Sequence, residues 1–220
     1  MPATVNTESA IRESISASVA VKQAMLGNRE LVSAIAAAAE VILTALRNGR
    51  KLLIAGNGGS AADAQHIAAE FVGRYRIERR ALPALALSTN TSALTAIGND
   101  YGFDDVFARQ LAAFAQPGDV FLAISTSGNS RNIRRALLMA GALRLKTIAL
   151  TGASAGKLND ITDLCLRIPS ADTPRIQEAH ILVGHAISEI VETELFGHSG
   201  TKSHNKADDH EHATSTLHTA

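Results

Sequence analysis

The stretch LLIAGNGGSAADAQHIAAE, from Leu52 to Glu70, constrains the fold of this chain more than any other. It reads as a buried strand ending at Ala55, a tight turn with glycines at 56, 58 and 59, and a helix opened by Ser60. Glycine permits positive φ and close backbone approach, while a helix start offers unpaired N–H groups and the positive end of a dipole. Such a turn suits an anion. On the same helix His66 and Glu70 stand four apart and so share one face, where they can exchange a proton or hold a metal ion. A plain hydrogen bond between helix neighbours is the commoner outcome of that spacing. Here, however, the pair follows directly on the anion turn, on a helix kept slim by Ala62, Ala68 and Ala69.

Apolar runs at 51–55, 83–87, 119–124, 146–150 and 163–168 are candidate strands. Helical patterns lie between most of them, at 60–73, 90–98 with 103–115, and 130–143, with a short turn near 155–160 and a long final helix from about 174 to 195. The alternation predicts an α/β chain with a mostly parallel sheet and helices on both faces. Near-continuous apolar character in LLIA, VFLAI and TIAL predicts strands buried on both sides. In such sheets ligands collect beyond the carboxyl ends of the strands, where the polar, glycine-rich loops of this chain fall.

Two further helical patterns, 8–26 and 28–47, precede the first strand, and a doubly wound sheet does not require them. The first carries Ile11, Ile15, Val19 and Leu26 at helical spacing, broken at Lys22. Residues 1–50 are therefore expected to form a helical hairpin that covers a neighbouring subunit, ahead of a sheet-bearing unit at 51–196. Residues 197–220 are polar, without periodicity, and hold five of the eight histidines at irregular spacing, which predicts a disordered tail rather than a metal buffer.

Formal net charge is zero, which argues against nucleic-acid or membrane-surface binding. No apolar run of about 18 residues and no basic-then-apolar start are present, so a cytoplasmic location is expected. The single cysteine, Cys165, fits a reducing compartment and, within DLCLRI, a packed thiol rather than a nucleophile.

Gly56 to Ala61 could pass for a dinucleotide-binding turn, but that fingerprint expects an acidic residue after the second strand, and PALAL ends in Ser88, Thr89 and Asn90. The loop Ser125-Thr126-Ser127-Gly128-Asn129-Ser130, leading into a helix, can surround a phosphate monoester with O–H and N–H donors, or serve only as a capped turn. In one sheet with the first turn, it suggests a sugar phosphate. Within Gly98 to Gly102, Asn99 and Asp100 could bond substrate hydroxyls, although their spacing favours an Asx turn between two helices. The final helix carries Gln177, Glu178, His180 and His185. Gln177 and His185 are about 80° apart on a helical wheel and the two histidines about 140°, so the set cannot all face one site, and either histidine remains a candidate.

Together, AGNGGSAADAQHIAAEF, TAIGNDYGFDDVF, STSGN and SADTPRIQEAHILVGH resemble the phosphoheptose (sedoheptulose 7-phosphate) isomerases of the sugar isomerase, or SIS, domain superfamily. The likeness covers residues 8–196. GNGGS and STSGN mark the superfamily alone; HxxxE and RIQExHxxxxH are specific to the isomerases. The resemblance implies a three-layer αβα sandwich on a flavodoxin-like five-stranded parallel sheet, and a homotetramer with active sites between subunits. It also implies conversion of sedoheptulose 7-phosphate to D-glycero-D-manno-heptose 7-phosphate, the first step toward the heptose of lipopolysaccharide or other glycans. By the same likeness the catalytic acid and histidine fall on Glu70 and His185, and a zinc ion in each subunit on His66, Glu70, Gln177 and His185. Substrate contacts fall on Asn57, Gly58, Gly59, Ser60, Glu70, Arg74, Asn99, Asp100, Ser125, Thr126, Ser127, Ser130 and Gln177. Moving a carbonyl between C1 and C2 needs a base and an acid, here Glu70 and His185; zinc could instead polarise the carbonyl, while occupying the same side chains. The rival expectations are a non-catalytic relative that binds a sugar phosphate or a replication initiator, a nucleotide-dependent oxidoreductase, and an isomerase of another ketose phosphate.

Overall fold

Five parallel strands, β1 (Leu52–Gly56), β2 (Ala84–Ala86), β3 (Val120–Ser125), β4 (Lys146–Thr151) and β5 (Leu164–Arg167), pair in the order β2-β1-β3-β4-β5. The structure, a computed structural model, describes residues 6–197, so the tail expected after Gly197 lies outside the described residues. Alternate side chains of a strand point to opposite faces. Leu52 and Ile54 of β1 thus enter one core while Leu53 and Ala55 enter the other, and β3 divides Leu122 from Phe121 and Ala123 in the same way.

The first core is roofed by α2 (Arg29–Arg47), α3 (Gly59–Val72) and α7 (Thr173–Phe196), the second by α4 (Thr91–Tyr101), α5 (Ala108–Phe114) and α6 (Arg131–Ala142). This is the expected three-layer sandwich. Asn28 and Asn90 start α2 and α4 by accepting the N–H groups of Leu31 and Ala93, and Pro174 sits in the first turn of α7.

The N-terminal hairpin divides unequally. α2 buries Leu31, Ile42, Leu43 and Leu46 in the first core, roughly 6–12 kcal/mol of burial, as much as a domain's whole stability. α2 is therefore integral to the sandwich. By contrast α1 (Thr7–Gly27) buries Met25 and leaves Ile11, Ile15, Val19 and Leu26 exposed on the chain taken alone.

One expectation is corrected. Asn99 and Asp100 do not form a turn between two helices; they occupy the last turn of α4, which runs through Gly98 and stops before Gly102 at φ 91°. A helix tolerates an interior glycine at a cost of about 1 kcal/mol, whereas a glycine at positive φ ends it.

The sheet places the site. Successive strands reverse direction of travel at β1, with β2 on one side and β3 on the other, so the loops after β1 and β3 leave the sheet side by side. Ligands bind at such a switch point.

Candidate active site

The floor of the site is built from those two loops. At the end of β1 the backbone of Ser60 lies so close that a Cβ on Gly56 would fall 2.6 Å from the Ser60 carbonyl carbon. Gly58, at φ 57°, then turns the chain into α3, whose first N–H groups receive no side-chain cap. Ser60 is buried at this start. Across the switch point, Ser125 and Ser130 share a hydrogen bond between hydroxyls at 3.1 Å, Ser127 Oγ accepts the N–H of Asn129 at 3.2 Å, and α6 likewise begins without a side-chain cap. The Thr126 carbonyl accepts the N–H of Gly152 at 3.0 Å, pinning the loop to the end of β4. The two loops are locked together by the carboxamides of Asn57 and Asn132, which exchange hydrogen bonds of 2.9 Å in both directions. Two uncapped helix starts thus adjoin a hydroxyl-rich loop, an arrangement that can hold a phosphate.

The wall is made where α3 meets α7. Gly184 allows the approach, since a Cβ there would fall 2.7 Å from Ile67 Cδ1. Their chain neighbours, His185 and His66, consequently meet, with Nε2 atoms 3.3 Å apart. Glu70 Oε1 is 3.1 Å from His66 Nε2 and 3.9 Å from His185 Nε2. The side chains of His66, His185 and Glu70 keep 50%, 33% and 19% of their exposure, so all three are open to a ligand. Two imidazole nitrogens and a carboxylate oxygen within 4.8 Å of one another could hold a metal ion. Tetrahedral zinc with bonds of 2.0–2.1 Å separates its ligand atoms by about 3.3 Å, close to the spacing here.

Gln177, two turns before His185, packs its carboxamide on Gly59, where a Cβ would lie 2.9 Å from Cδ. It stands over the glycine turn. Three of the four expected metal ligands are therefore gathered, and the fourth lies toward the floor. Arg74 is exposed and faces Glu78 at 3.5 Å, and Asn99 donates to Asp100 at 2.8 Å on the exposed end of α4. Cys165 lies on β5, its thiol pushed up by burial and 3.7 Å from Thr151 Oγ, in keeping with a packed thiol.

Four residues that matter to this site were not singled out from the sequence. Tyr75 sets its ring 5.7 Å from that of His185, and Asn132 locks the floor. Arg79 and Glu192 form a buried ion pair at 2.9 Å behind the wall. Each depends on a partner far away in the chain, so no local pattern marks it.

His180 is not part of the His66, Glu70 and His185 cluster; it is fully buried against β4, with Nε2 3.3 Å from the Thr151 carbonyl and Nδ1 unpartnered. A neutral ring with Nε2–H donating fits both nitrogens. Burial, opposed only by that hydrogen bond, lowers its pKa from 6.5 to about 4. The unfolded chain therefore binds a proton that the folded chain refuses, and the stability this ring contributes is complete above pH 6.5 and is lost as pH falls toward 4. At pH 5 the loss is about 2 kcal/mol. Urea denaturation at pH 7 and pH 5 should show a difference smaller by that amount in His180→Gln; equal differences in the two proteins would contradict the assignment.

Known proteins share the sequence and the fold of this chain. The sequence profile of the SIS domain matches residues 19–152. The phosphoheptose isomerase of Geobacter sulfurreducens is 60% identical over 168 residues, covering 76% of this chain and 89% of its own. Phosphoheptose isomerase 2 of Campylobacter jejuni is 52% identical over 192 residues, 87% of this chain and 96% of its own. Among solved structures, the phosphoheptose isomerase of Neisseria gonorrhoeae matches with a TM-score of 0.80 at 44% identity, over 84% of this chain and 98% of its own. That of Francisella tularensis matches with a TM-score of 0.82 at 38% identity, over 86% and 100%.

Proposed function

This chain belongs to the SIS-domain family, among its phosphoheptose isomerases, and on that footing we propose that it converts sedoheptulose 7-phosphate to D-glycero-D-manno-heptose 7-phosphate. The observation that carries the reading is the meeting of Glu70 and His185, 3.9 Å apart, on helices well separated in the chain and on the same core as the uncapped start of α3. Glu70 takes the proton from C1 of the ketose, and the C–H electron pair becomes the C1–C2 double bond. His185 gives a proton to the C2 carbonyl oxygen as the enediol forms. Glu70 then returns its proton to C2 while His185 takes the O1–H proton, leaving the aldose and both side chains in their starting states.

Ser125, Thr126, Ser127 and Ser130, with the N–H groups opening α6, are assigned to the phosphate. Asn57, Gly58, Gly59, Ser60 and Gln177 are assigned to the sugar. His66, Glu70 and His185, with Gln177 as the fourth ligand, fit zinc in donor type and spacing, and zinc held there would polarise the substrate carbonyl. Arg74, Asn99 and Asp100 face outward, which suits a site completed by a neighbouring subunit. The exposed row Ile11, Ile15 and Val19 on α1 is the surface such a homotetramer would cover. Within residues 1–50 the proposal of an oligomerising segment thus narrows to α1, with the sheet-bearing unit extended to include α2. A cytoplasmic enzyme supplying heptose for lipopolysaccharide or another glycan fits the single cysteine and the absence, among the described residues, of a helix able to cross a membrane.

Incubating the purified protein with sedoheptulose 7-phosphate, with and without a chelator, tests this reading. The aldose 7-phosphate is the expected product. Loss of turnover on chelation and its return with Zn²⁺ supports the metal assignment, and turnover indifferent to the chelator removes it. No aldose under either condition removes the isomerase.

A further inference from the structure

We propose that Arg79 and Glu192 are positioning residues, a buried ion pair that fixes the Glu70 carboxylate against the His185 imidazole and so the capacity of the cluster to hold a metal ion and move a proton. The catalytic arm of this inference rests on the isomerase reading above. Its basis is where the bonds of the pair end. Both side chains are almost fully buried, 2% and 3% exposed. Arg79 Nη2 donates to the backbone carbonyl of Glu70 itself at 2.7 Å. Nη1 donates to the carbonyls of Phe71 and Gly73 at 2.9 and 3.1 Å, closing the last turn of α3, which a helix otherwise leaves open. Nη1 also reaches the carbonyl of the next residue, Arg80, at 3.0 Å, and Nε reaches Glu192 Oε1 at 2.9 Å.

Glu192 stands seven positions after His185 on α7, two turns along the same face. One guanidinium therefore connects the backbone of the residue that carries the carboxylate to the helix face that carries the imidazole. The other bonds of Glu192 serve the same place. Its carboxylate accepts the N–H groups of Tyr75, Arg76 and Ile77 at 2.9, 2.6 and 2.9 Å, folding the segment after α3 so that the Tyr75 ring lies against His185. Burial alone would raise the Glu192 carboxyl, but those three N–H groups and the Arg79 cation outweigh it and hold the group below its ordinary range, as an anion.

A role in stability alone does not account for the pair. Taking two charges out of water offsets most of their attraction, and apolar side chains of similar volume hold two helices at least as well. α3 and α7 already pack through Ile67 and Gly184. What apolar groups cannot supply is the set of directed bonds to the Glu70 carbonyl and the Tyr75–Ile77 backbone.

The test compares the full chain with Arg79→Lys and with the double variant Arg79→Met, Glu192→Leu. The double variant removes both charges without leaving one buried alone; the lysine keeps the charge but not the fork that reaches the Glu70, Phe71 and Gly73 carbonyls. Three quantities are read: kcat and KM per folded chain, Tm, and Zn²⁺ affinity of the stripped protein by competition with a chromophoric chelator. Both variants are expected to lose about 10- to 100-fold in kcat and in Zn²⁺ affinity, with KM within about threefold of the parent. A purely structural pair would instead move Tm and leave kcat per folded chain and Zn²⁺ affinity unchanged, and that result overturns the proposal. Should the double variant not fold, Arg79→Lys decides. If the parent itself fails to isomerise the ketose, the functional reading fails while the Zn²⁺ competition still decides the role of the pair.

Discussion

Glu70→Gln is expected to give a folded protein whose kcat on sedoheptulose 7-phosphate has fallen by about three orders of magnitude, with KM little changed. The substitution keeps shape and volume. Glu70 lies outside both hydrophobic cores and is bonded through its side chain to His66 alone, at 3.1 Å, a contact that a carboxamide can also make. What disappears is the ability to take a proton from carbon. His185→Ala removes the opposite partner and should cost a similar factor, although it also withdraws the ring against which Tyr75 rests. Because the two groups serve one proton-transfer sequence, the double variant should be no slower than the slower single one. Steady-state kinetics with circular dichroism and metal analysis on the same samples decide the matter. Undiminished isomerisation in either single variant would remove the assignment. Loss of kcat with full zinc content identifies Glu70 as the base, whereas recovery in excess Zn²⁺ identifies it as a ligand only.

The distances sharpen that distinction. Nε2 atoms of His66 and His185 at 3.3 Å cannot both carry protons without two donors meeting head on. Either one ring donates to the other, or both lone pairs turn toward a common cation. In the first state a proton on His66 Nε2 lies between its two acceptors, Glu70 Oε1 at 3.1 Å and His185 Nε2 at 3.3 Å. In the second, both rings are committed to the metal. Glu70 is close enough to serve either state, so the metal content of the active enzyme selects between them.

Strand positions were legible because burial on both faces leaves an unbroken apolar run. β1, expected at 51–55, is found at Leu52–Gly56. At the sheet's edge the signal thins: PALAL yields only Ala84–Ala86, since the outer flank of β2 has no partner strand. The helical wheel separated His180 from His185 but could not say which one the protein buries. That choice is made by β4, whose Thr151 carbonyl receives His180. Asn132, Arg79 and Glu192 were invisible for a related reason, as their partners lie 75 and 113 positions away. Local spacing carries no trace of such contacts. The glycine turn was legible in kind yet not in detail, because its glycines answer to different neighbours.

Those neighbours make the second large effect predictable. Gly56→Ala should destabilise the protein by about 3 kcal/mol, lowering Tm by about 6–12 °C, while Gly59→Ala should leave Tm almost unchanged and yet weaken substrate binding. At Gly56 the added methyl meets backbone, 2.6 Å from the Ser60 carbonyl carbon and 2.7 Å from Ser60 Cβ, and neither atom can rotate away. Relief requires β1 and α3 to separate, which disturbs the core around Ile67 and Phe71 as well as the start of α3. At Gly59 the methyl meets only the end of the Gln177 side chain, with Cδ at 2.9 Å, and that chain is free to swing aside. The fold therefore tolerates the change, but Gln177 leaves its place above the turn. Thermal unfolding and KM for both variants separate the cases. Equal loss of Tm in the two would mean that the turn is crowded throughout rather than fitted to Ser60 on one side and to Gln177 on the other.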